Sequence, residues 1–388
     1  MSTHFDLCII GGGIIGAGIA QAAAINGLST IIVEKRGWGT GNSSKSSKII
    51  DGDFEGIPHL RFSNVRERLR ERRIIRDIAP NLQKVDWFYL PIYKQSAQKS
   101  WQIALQLRIY DALAGGDNLA SFRRLPKERW GKLYGLNQHD LSAVYAFQEI
   151  HIDDTQLAQN VLRSAKQHGA MALCPVNFEG AQLSDDGYVV SVAKGSRNRD
   201  FDCRFLVNAT GAWGDRVSRS IEGVKNPLPA RLIKSTHIEF REHLSDNSFY
   251  VEGKKGSNRI AILPWRGGTL VGSADTMFSG NPERVTPSTE EVDYLVGITR
   301  HHFPHFQYEP FDAWSGLRLS SIKQRAILPR RSKSLNDTDE RYLCVRESQF
   351  ASYRAIAERV VISVMRSLSE KSAPPPETHY ICSSSIRI

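Results

Sequence analysis

The chain has 388 residues, 41% apolar and 24% charged, a composition that excludes bulk disorder and fibrous repeats. At roughly 150 residues per domain, this length predicts two to three domains or one large α/β domain with a second lobe. Lys plus Arg exceed Asp plus Glu, 51 against 41, a net charge of +10, which suits anionic partners without naming one. Nucleic acid is not expected, because net charge alone speaks for it and no recognition module is present. Five scattered cysteines, Cys8, Cys174, Cys203, Cys344 and Cys382, contain no C-x-x-C. A reducing, cytoplasmic setting is therefore expected rather than a disulfide framework, and no metal site.

Leu7 to Ile25 is nearly uninterrupted apolar sequence, with Gln21 its one polar residue. The length is enough to span a bilayer, but three consecutive glycines make a poor helix interior. No Lys or Arg precedes it, so a secretory leader is not expected. A buried strand-turn-helix is expected instead: a parallel strand over Phe5–Ile10, the turn Gly11-Gly12-Gly13-Ile14-Ile15-Gly16, and a helix to Ile25 stopped by Asn26-Gly27. A second strand, Thr30–Val33, ends at Glu34 and completes a βαβ-type unit.

Farther along, Ser63–Ile78 reads as a helix crowded with arginine, and Trp101–Ala114 as another. Ala146–Ile152 reads as extended, Asp154–His168 as helical, and Phe178–Lys194 as a strand pair turning at Asp185-Asp186-Gly187. Phe205–Val207 is a short strand running into Asn208-Ala209-Thr210-Gly211-Ala212-Trp213. Strands then cluster at His237–Phe240, Phe249–Glu252, Arg259–Trp265 and Thr269–Gly272, a local antiparallel sheet that belongs to a different lobe. Ser288 with Glu291 forms a capping box for a helix to about His302. Tyr342–Val345 reads as a strand, Tyr353–Leu368 as the last helix, and Pro374-Pro375-Pro376 as part of an extended tail.

The glycines of the first turn have separate roles. Gly11 allows the tight turn, Gly13 lets the backbone approach a pyrophosphate, and Gly16 lets helix and strand pack closely. The helix N-terminus offers N–H groups to a diphosphate. Glu34 can accept from ribose hydroxyls and repels a 2′-phosphate. The cofactor is NAD or FAD on this motif alone. The A-T-G turn at 209–211 and the hydroxyl-rich Ser43–Lys48 segment favour FAD.

Further segments extend the pattern: DLCIIGGGIIGAGIA (6–20), SSKSSKII (43–50), the arginine-rich helix ending in IAP (78–80), VNATGAW (207–213), RLIKSTHI (231–238), ILPW (262–265), VGSAD (271–275), WSGLR (314–318) and SYRAIAE (352–358). With these the chain resembles the FAD-dependent glycerol-3-phosphate dehydrogenases, within the wider D-amino-acid-oxidase-like flavoprotein superfamily. The resemblance implies an α/β fold: a Rossmann-type FAD-binding domain with an antiparallel-sheet substrate domain. It implies FAD held by Gly11, Gly13, Ile14, Ile15, Gly16, Glu34, Lys35, Ser43, Ser44, Ser47, Lys48, Val176, Thr210, Gly211, Trp213 and Gln349. The implied reaction is oxidation of glycerol 3-phosphate at C2 to dihydroxyacetone phosphate, with electrons passing on to a quinone or to oxygen. His237 stands at the position of the group beside the reacting alcohol; a hydrogen-bonded core histidine is the competing reading. Arg318 stands at the substrate-phosphate position; an ion-paired structural arginine competes. Guanidinium suits phosphate because it donates two parallel hydrogen bonds.

The departures from the family pattern are specific. Where the family reads H-G-G-L-R-Y-L-E, this chain reads Asp51-Gly52-Asp53-Phe54-Glu55-Gly56-Ile57-Pro58, so a histidine becomes Asp51 and a phosphate-binding arginine becomes Glu55. Where the family reads G-G-K-L-T-T-Y-R, this chain has Glu347-Ser348-Gln349-Phe350-Ala351-Ser352-Tyr353-Arg354, so a lysine becomes Gln349. Losing two cationic contacts and gaining a carboxylate predicts phosphate binding weaker by about two to four orders of magnitude unless Arg325, Arg330 or Arg331 compensates. After Arg354 only 34 residues remain, so the C-terminal helical domain of longer members is not expected.

The expected division is an FAD lobe from 1–80, 150–220 and 320–370, a substrate lobe from 81–149 and 221–319, and a tail over 371–388. Three functions stay open: a glycerol-3-phosphate dehydrogenase with a rearranged phosphate site, a flavin enzyme for another hydroxy or amino compound, and a flavin-binding relative without turnover. The helix Ser63–Ile78 reads as a solvated charged face, with peripheral contact at the inner face of a membrane as the alternative.

Overall fold

The computed structural model describes residues 4–224, 231–253, 258–320, 341–347 and 349–369. The chain runs β1 (His4–Ile10), α1 (Ile14–Ile25), β2 (Thr30–Val33), β3 (Ile49–Ile50), α2 (Phe62–Ile78), β4 (Gln83–Tyr93), α3 (Ser100–Ala114), β5 (Arg123–Arg124), β6 (Leu141–Ile152), α4 (Asp154–Gln167), β7 (Met171–Leu173), β8 (Asn177–Ser184), β9 (Gly187–Lys194) and β10 (Arg197–Asn208). It continues through α5 (Gly214–Ser218), β11 (Leu232–Phe240), β12 (Ser248–Val251), β13 (Ile260–Trp265), β14 (Gly268–Phe278), α6 (Thr289–His302), β15 (Asp312–Leu319), β16 (Tyr342–Cys344) and α7 (Tyr353–Ser369).

Two sheets organise these elements. The first has the order β7-β2-β1-β10-β9-β8, with β16 also on β10. Its β7, β2, β1, β10 and β16 pairings are parallel, while β9 and β8 add an antiparallel meander. Strands β1 and β2 are almost wholly buried, as a sheet covered on both faces requires. Helix α1 packs on α4 and α7. Gln21, the one polar residue of the apolar run, donates to Ser164 Oγ of α4 at 2.9 Å, so burial leaves it satisfied. The run is thus strand, turn and helix, and no described helix is long and apolar enough to cross a membrane.

The second sheet has the order β15-β11-β14-β13-β12-β4-β6-β3, with β5 on β6. All its pairings are antiparallel except β12 with β4. The capping box at Ser288 and Glu291 opens α6 as expected. Several strands exceed the sequence reading. Strand β4 has no counterpart in it, because Pro91 interrupts the pattern, yet Pro91 sits within the ladder opposite Val144. Strand β11 starts at Leu232, β14 runs on to Phe278, and WSGLR lies in β15. Strand β3, within the segment assigned to the first lobe, pairs with β6 in the second sheet. Cys8, Cys174, Cys203 and Cys344 are free thiols; Cys382 and the 371–388 tail lie outside the described residues.

The arginines of α2 divide between a solvated face, Arg66, Arg70 and Arg73, and an inward one. Arg72 is fully buried and donates to Glu149 at 2.7 Å and Asp117 at 3.1 Å. Arg76 reaches Asp117 at 2.9 Å, and Arg68 points into the central cavity described below. Only Arg66, Arg70 and Arg73 of this helix's cationic side chains are exposed. The cause is position: Arg72 shares the inward stripe of Val65, Leu69 and Ile75, all buried.

Candidate active site

The site begins at the turn between β1 and α1. Gly11 has φ +106°, and a Cβ there would stand 2.8 Å from the Ala209 carbonyl oxygen. A Cβ at Gly16 would fall 1.9 Å from the Gly11 oxygen. Neither position tolerates a side chain, so β1, β10 and α1 converge with bare backbone. Gly13 is the N-cap of α1 and brings no side-chain cap. Ser43 Oγ accepts from the Ile14 N–H at 2.9 Å. At the end of β2 the Glu34 carboxylate accepts from the Gly12 and Arg36 N–H groups, each at 2.8 Å.

These residues open onto one large cavity of about 2130 Å³ that runs between the two sheets. Gly11, Gly13, Ile14, Ile15, Glu34 and Lys35 line one part, with Ser43, Ser47 and Val176. Thr210, Gly211 and Trp213 line it from the end of β10, and Gln349 from the segment before α7. His237 and Arg318 line the same cavity from β11 and β15. These two strands pair directly, with His237 opposite Trp314 and Ile233 opposite Arg318.

His237 is 2% exposed, and neither ring nitrogen has a hydrogen-bond partner among the described residues. Its ring stacks on Trp314, centroids 4.2 Å apart and planes at 15°. Burial drives its pKa down to about 4, with help from Lys48 and against the pull of Asp275 and of the Ser235 backbone. It is therefore a neutral imidazole at neutral pH, facing the cavity beside Trp314. Arg318 Nη2 donates to Asp275 at 2.5 Å and Nε to Ser235 Oγ at 3.2 Å, while its side chain stays 40% exposed to the cavity. Burial pushes the Asp275 carboxyl up, but Arg318, Ser235 and Ser273 outweigh it and hold it below the usual carboxylate range.

A glycine turn for a diphosphate, an acid at the end of the second strand and a shared cavity point to a dinucleotide oxidoreductase. Residues 6–335 match the family model of the FAD dependent oxidoreductases. The chain belongs to that family.

Its relatives include the alpha-glycerophosphate oxidase of Streptococcus pyogenes serotype M3, 29% identical over 95% of this chain and 64% of the oxidase. The glycerol-3-phosphate dehydrogenase of Synechocystis is 28% identical over 97% of this chain and 72% of its own length. The chain thus spans a little under two thirds of the Streptococcus pyogenes enzymes it matches. Among solved structures, the glycerol-3-phosphate dehydrogenase of Bacillus halodurans complexed with FAD superposes with TM-score 0.73 at 22% identity, over 99% of this chain and 67% of the other. L-proline dehydrogenase from P. horikoshii does so with TM-score 0.72 at 16% identity, over 97% and 95%. These likenesses establish the two-lobed FAD-oxidoreductase fold.

The residues fit the family's cofactor. The side-chain-free turn matches a pyrophosphate at the N-terminus of α1, and Glu34 stands where ribose hydroxyls are received. Three of the expected cofactor residues do not line the cavity. Gly16 acts through packing. Ser44 spends its hydroxyl on the Thr40 and Gly41 carbonyls. Lys48 is buried, and its ammonium donates to both Asp154 oxygens at 2.8 and 2.9 Å and to the Ser44 carbonyl at 2.7 Å. It also lies over the Trp314 ring at 5.3 Å.

The departures form one patch of the cavity wall, and each acid has an arginine. Asp51 accepts from Arg68 at 2.8 Å, Asp53 faces Arg61 and Arg68 at 3.5 Å each, and Glu55 accepts from Arg259. Burial raises the Asp53 pKa. Gln349 Oε1 accepts from Arg68 Nε at 3.0 Å, so Arg68 brings a cation close to the vacated lysine position. Sequence reasoning gave no site role to Arg68, Arg259 and Asp275, which line this wall or hold Arg318. Their signal was faint: Arg259 merely precedes an apolar strand. Arg325, Arg330 and Arg331 lie outside the described residues.

Proposed function

We propose that the protein oxidises the C2 alcohol of glycerol 3-phosphate to dihydroxyacetone phosphate. The observation that carries this reading is His237: buried, neutral and unpartnered, on the same cavity as the dinucleotide turn and Arg318. FAD, when bound, supplies the acceptor for the C2 hydride. His237 receives the hydroxyl proton at a ring nitrogen, as a base whose proton-accepting form is present at neutral pH. Arg318 receives the phosphate, its charge held in place by Asp275 and Ser235. Trp314 keeps the imidazole oriented and excludes water from one of its faces. The relatives named for glycerophosphate support the substrate.

The electrons then leave to a quinone or to oxygen. Exposed Leu60 and Phe62 stand at the start of α2, beside its exposed arginines, which supports peripheral contact with the inner face of a membrane from the cytoplasm.

The absorption spectrum of the FAD-loaded protein, before and after anaerobic glycerol 3-phosphate, tests the reading. Flavin bands that bleach support it; bands that persist refute this substrate. A second reading, oxidation of another small hydroxy or amino compound, is favoured by the Asp51, Asp53 and Glu55 wall. Bleaching by such a compound in place of glycerol 3-phosphate would establish it.

A further inference from the structure

We infer that Arg259 is the anion-binding arm on the substrate side of the cavity, and that Glu55 is its resident counter-ion, displaced when a phosphorylated substrate enters. The ligand class is a small dianionic phosphate monoester, and in this the inference rests on the substrate reading above.

Arg259 immediately precedes β13, and its side chain is 13% exposed. Three groups hold it. Nη2 donates to Gln98 Oε1 at 3.0 Å, the guanidinium lies 5.3 Å from the centre of the Phe54 ring, and Nη1 donates to Glu55. Only the last of these is charged. Gln98 and Phe54 therefore fix the position of the cation whether or not Glu55 is there, and the guanidinium is organised in advance for an oxyanion.

Glu55 is the loose member of the pair. Its side chain is 39% exposed, and Arg259 is its one ion-pair partner among the described residues. It can swing towards solvent with its charge hydrated, which makes the exchange inexpensive. It also stands where the family pattern has a phosphate-binding arginine. The charge reversal at 55 is matched by a cation directly against it, so positive charge is kept at this point of the wall but supplied from β13.

The arm belongs to the reacting end of the cavity. Asn258, its neighbour in sequence, donates to Asp275 Oδ2 at 3.1 Å, the same oxygen that receives Arg318 Nη2. Arg259, Glu55, Arg318 and His237 line one space. A dianion offers Arg259 more charge and more acceptor oxygens than the monoanionic carboxylate it replaces. A neutral alcohol offers neither and leaves the pair closed. Glu55 thereby lowers affinity for every anion and sharpens the preference for a doubly charged one.

The test uses the FAD-loaded full chain, with inorganic phosphate as the probe in titration calorimetry and KM for glycerol 3-phosphate beside it. In E55Q the competitor is gone and Arg259 remains, so the phosphate Kd falls at least tenfold and KM falls with it. In R259Q both rise at least tenfold, and the E55Q/R259Q double variant binds phosphate no better than R259Q. A phosphate Kd in E55Q within twofold of the parent, or weaker, overturns the inference. Because E55Q leaves the buried arginine and its other contacts in place, a folding defect in R259Q does not remove the test. A flavin that glycerol 3-phosphate fails to reduce overturns the substrate reading alone, while the phosphate Kd in E55Q still decides the role of Arg259.

Discussion

The imidazole of His237 lies flat on the indole of Trp314, and the backbones of the two residues face each other across β11 and β15. The stack removes one ring face from water and leaves the ring nitrogens free. A proton acceptor has to be neutral, and with its pKa at about 4 His237 is neutral at every pH well above that value. As pH falls through about 4 it takes up a proton and loses this capacity. The pH profile of kcat/KM should therefore rise through about 4 and show no acidic limb near 6.5. A limb at 6.5 would contradict the burial argument. H237Q should lower kcat/KM by about 10² to 10⁴ while the flavin spectrum is retained.

At the other end of the cavity, G11A places a methyl against the Ala209 carbonyl in a backbone region unfavourable to it. The purified variant is expected to carry little FAD, read from the ratio of flavin to protein absorbance. E34Q keeps the size of the side chain but removes its charge. A charge-assisted hydrogen bond is worth about 1.5–3 kcal/mol, so FAD affinity should fall about ten- to hundredfold. Dissociation constants from fluorescence titration check this.

Arg318 and Asp275 form a coupled pair. On the proposed reading, R318A removes the phosphate contact and also leaves the Asp275 charge facing the cavity. KM for glycerol 3-phosphate should rise by about two orders of magnitude, more than one lost contact explains. Adding D275N to R318A should recover part of that loss, and the non-additivity is read from a double-mutant cycle. Turnover of a neutral alcohol such as glycerol should respond far less to R318A.

Stability separates the arginines that composition counts alike. Arg354 of α7 and Glu71 of α2 are both 1% exposed and joined by two hydrogen bonds at 2.8 and 2.9 Å. R354A strands the Glu71 carboxylate and should cost about 3–5 kcal/mol in urea unfolding. Replacing exposed Arg66, Arg70 or Arg73 with Ala should change stability by about 0.5 kcal/mol or less.

The βαβ unit with its glycine turn and Glu34 was legible because its requirements are local: a tight turn, a close approach and a terminal acid all lie within one short stretch. His237 and Arg318 were legible through family resemblance, and the structure adds that neighbouring strands bring them to one cavity. Strand β4 was not legible, since its parallel pairing with β12 joins residues far apart in sequence and Pro91 masks its pattern. Ion-pair partners were not legible either. Nothing near Glu55 announces Arg259, and nothing near Arg72 announces Glu149. The one local sign is Arg72 itself, which sits on the apolar stripe of its own helix with Val65, Leu69 and Ile75.

The serine loop and β15 are joined. Asn42 Oδ1 accepts from the Leu317 N–H at 2.9 Å, and Gly316 has no side chain where the Lys45 carbonyl oxygen approaches within 2.7 Å of a Cβ position. The loop also gives Ser43 to the N-terminus of α1, and the strand carries Arg318. The hydrogen bond and the close backbone approach tie the loop to the strand. Any movement of β15 that carries Arg318 has to take this loop along or break that hydrogen bond.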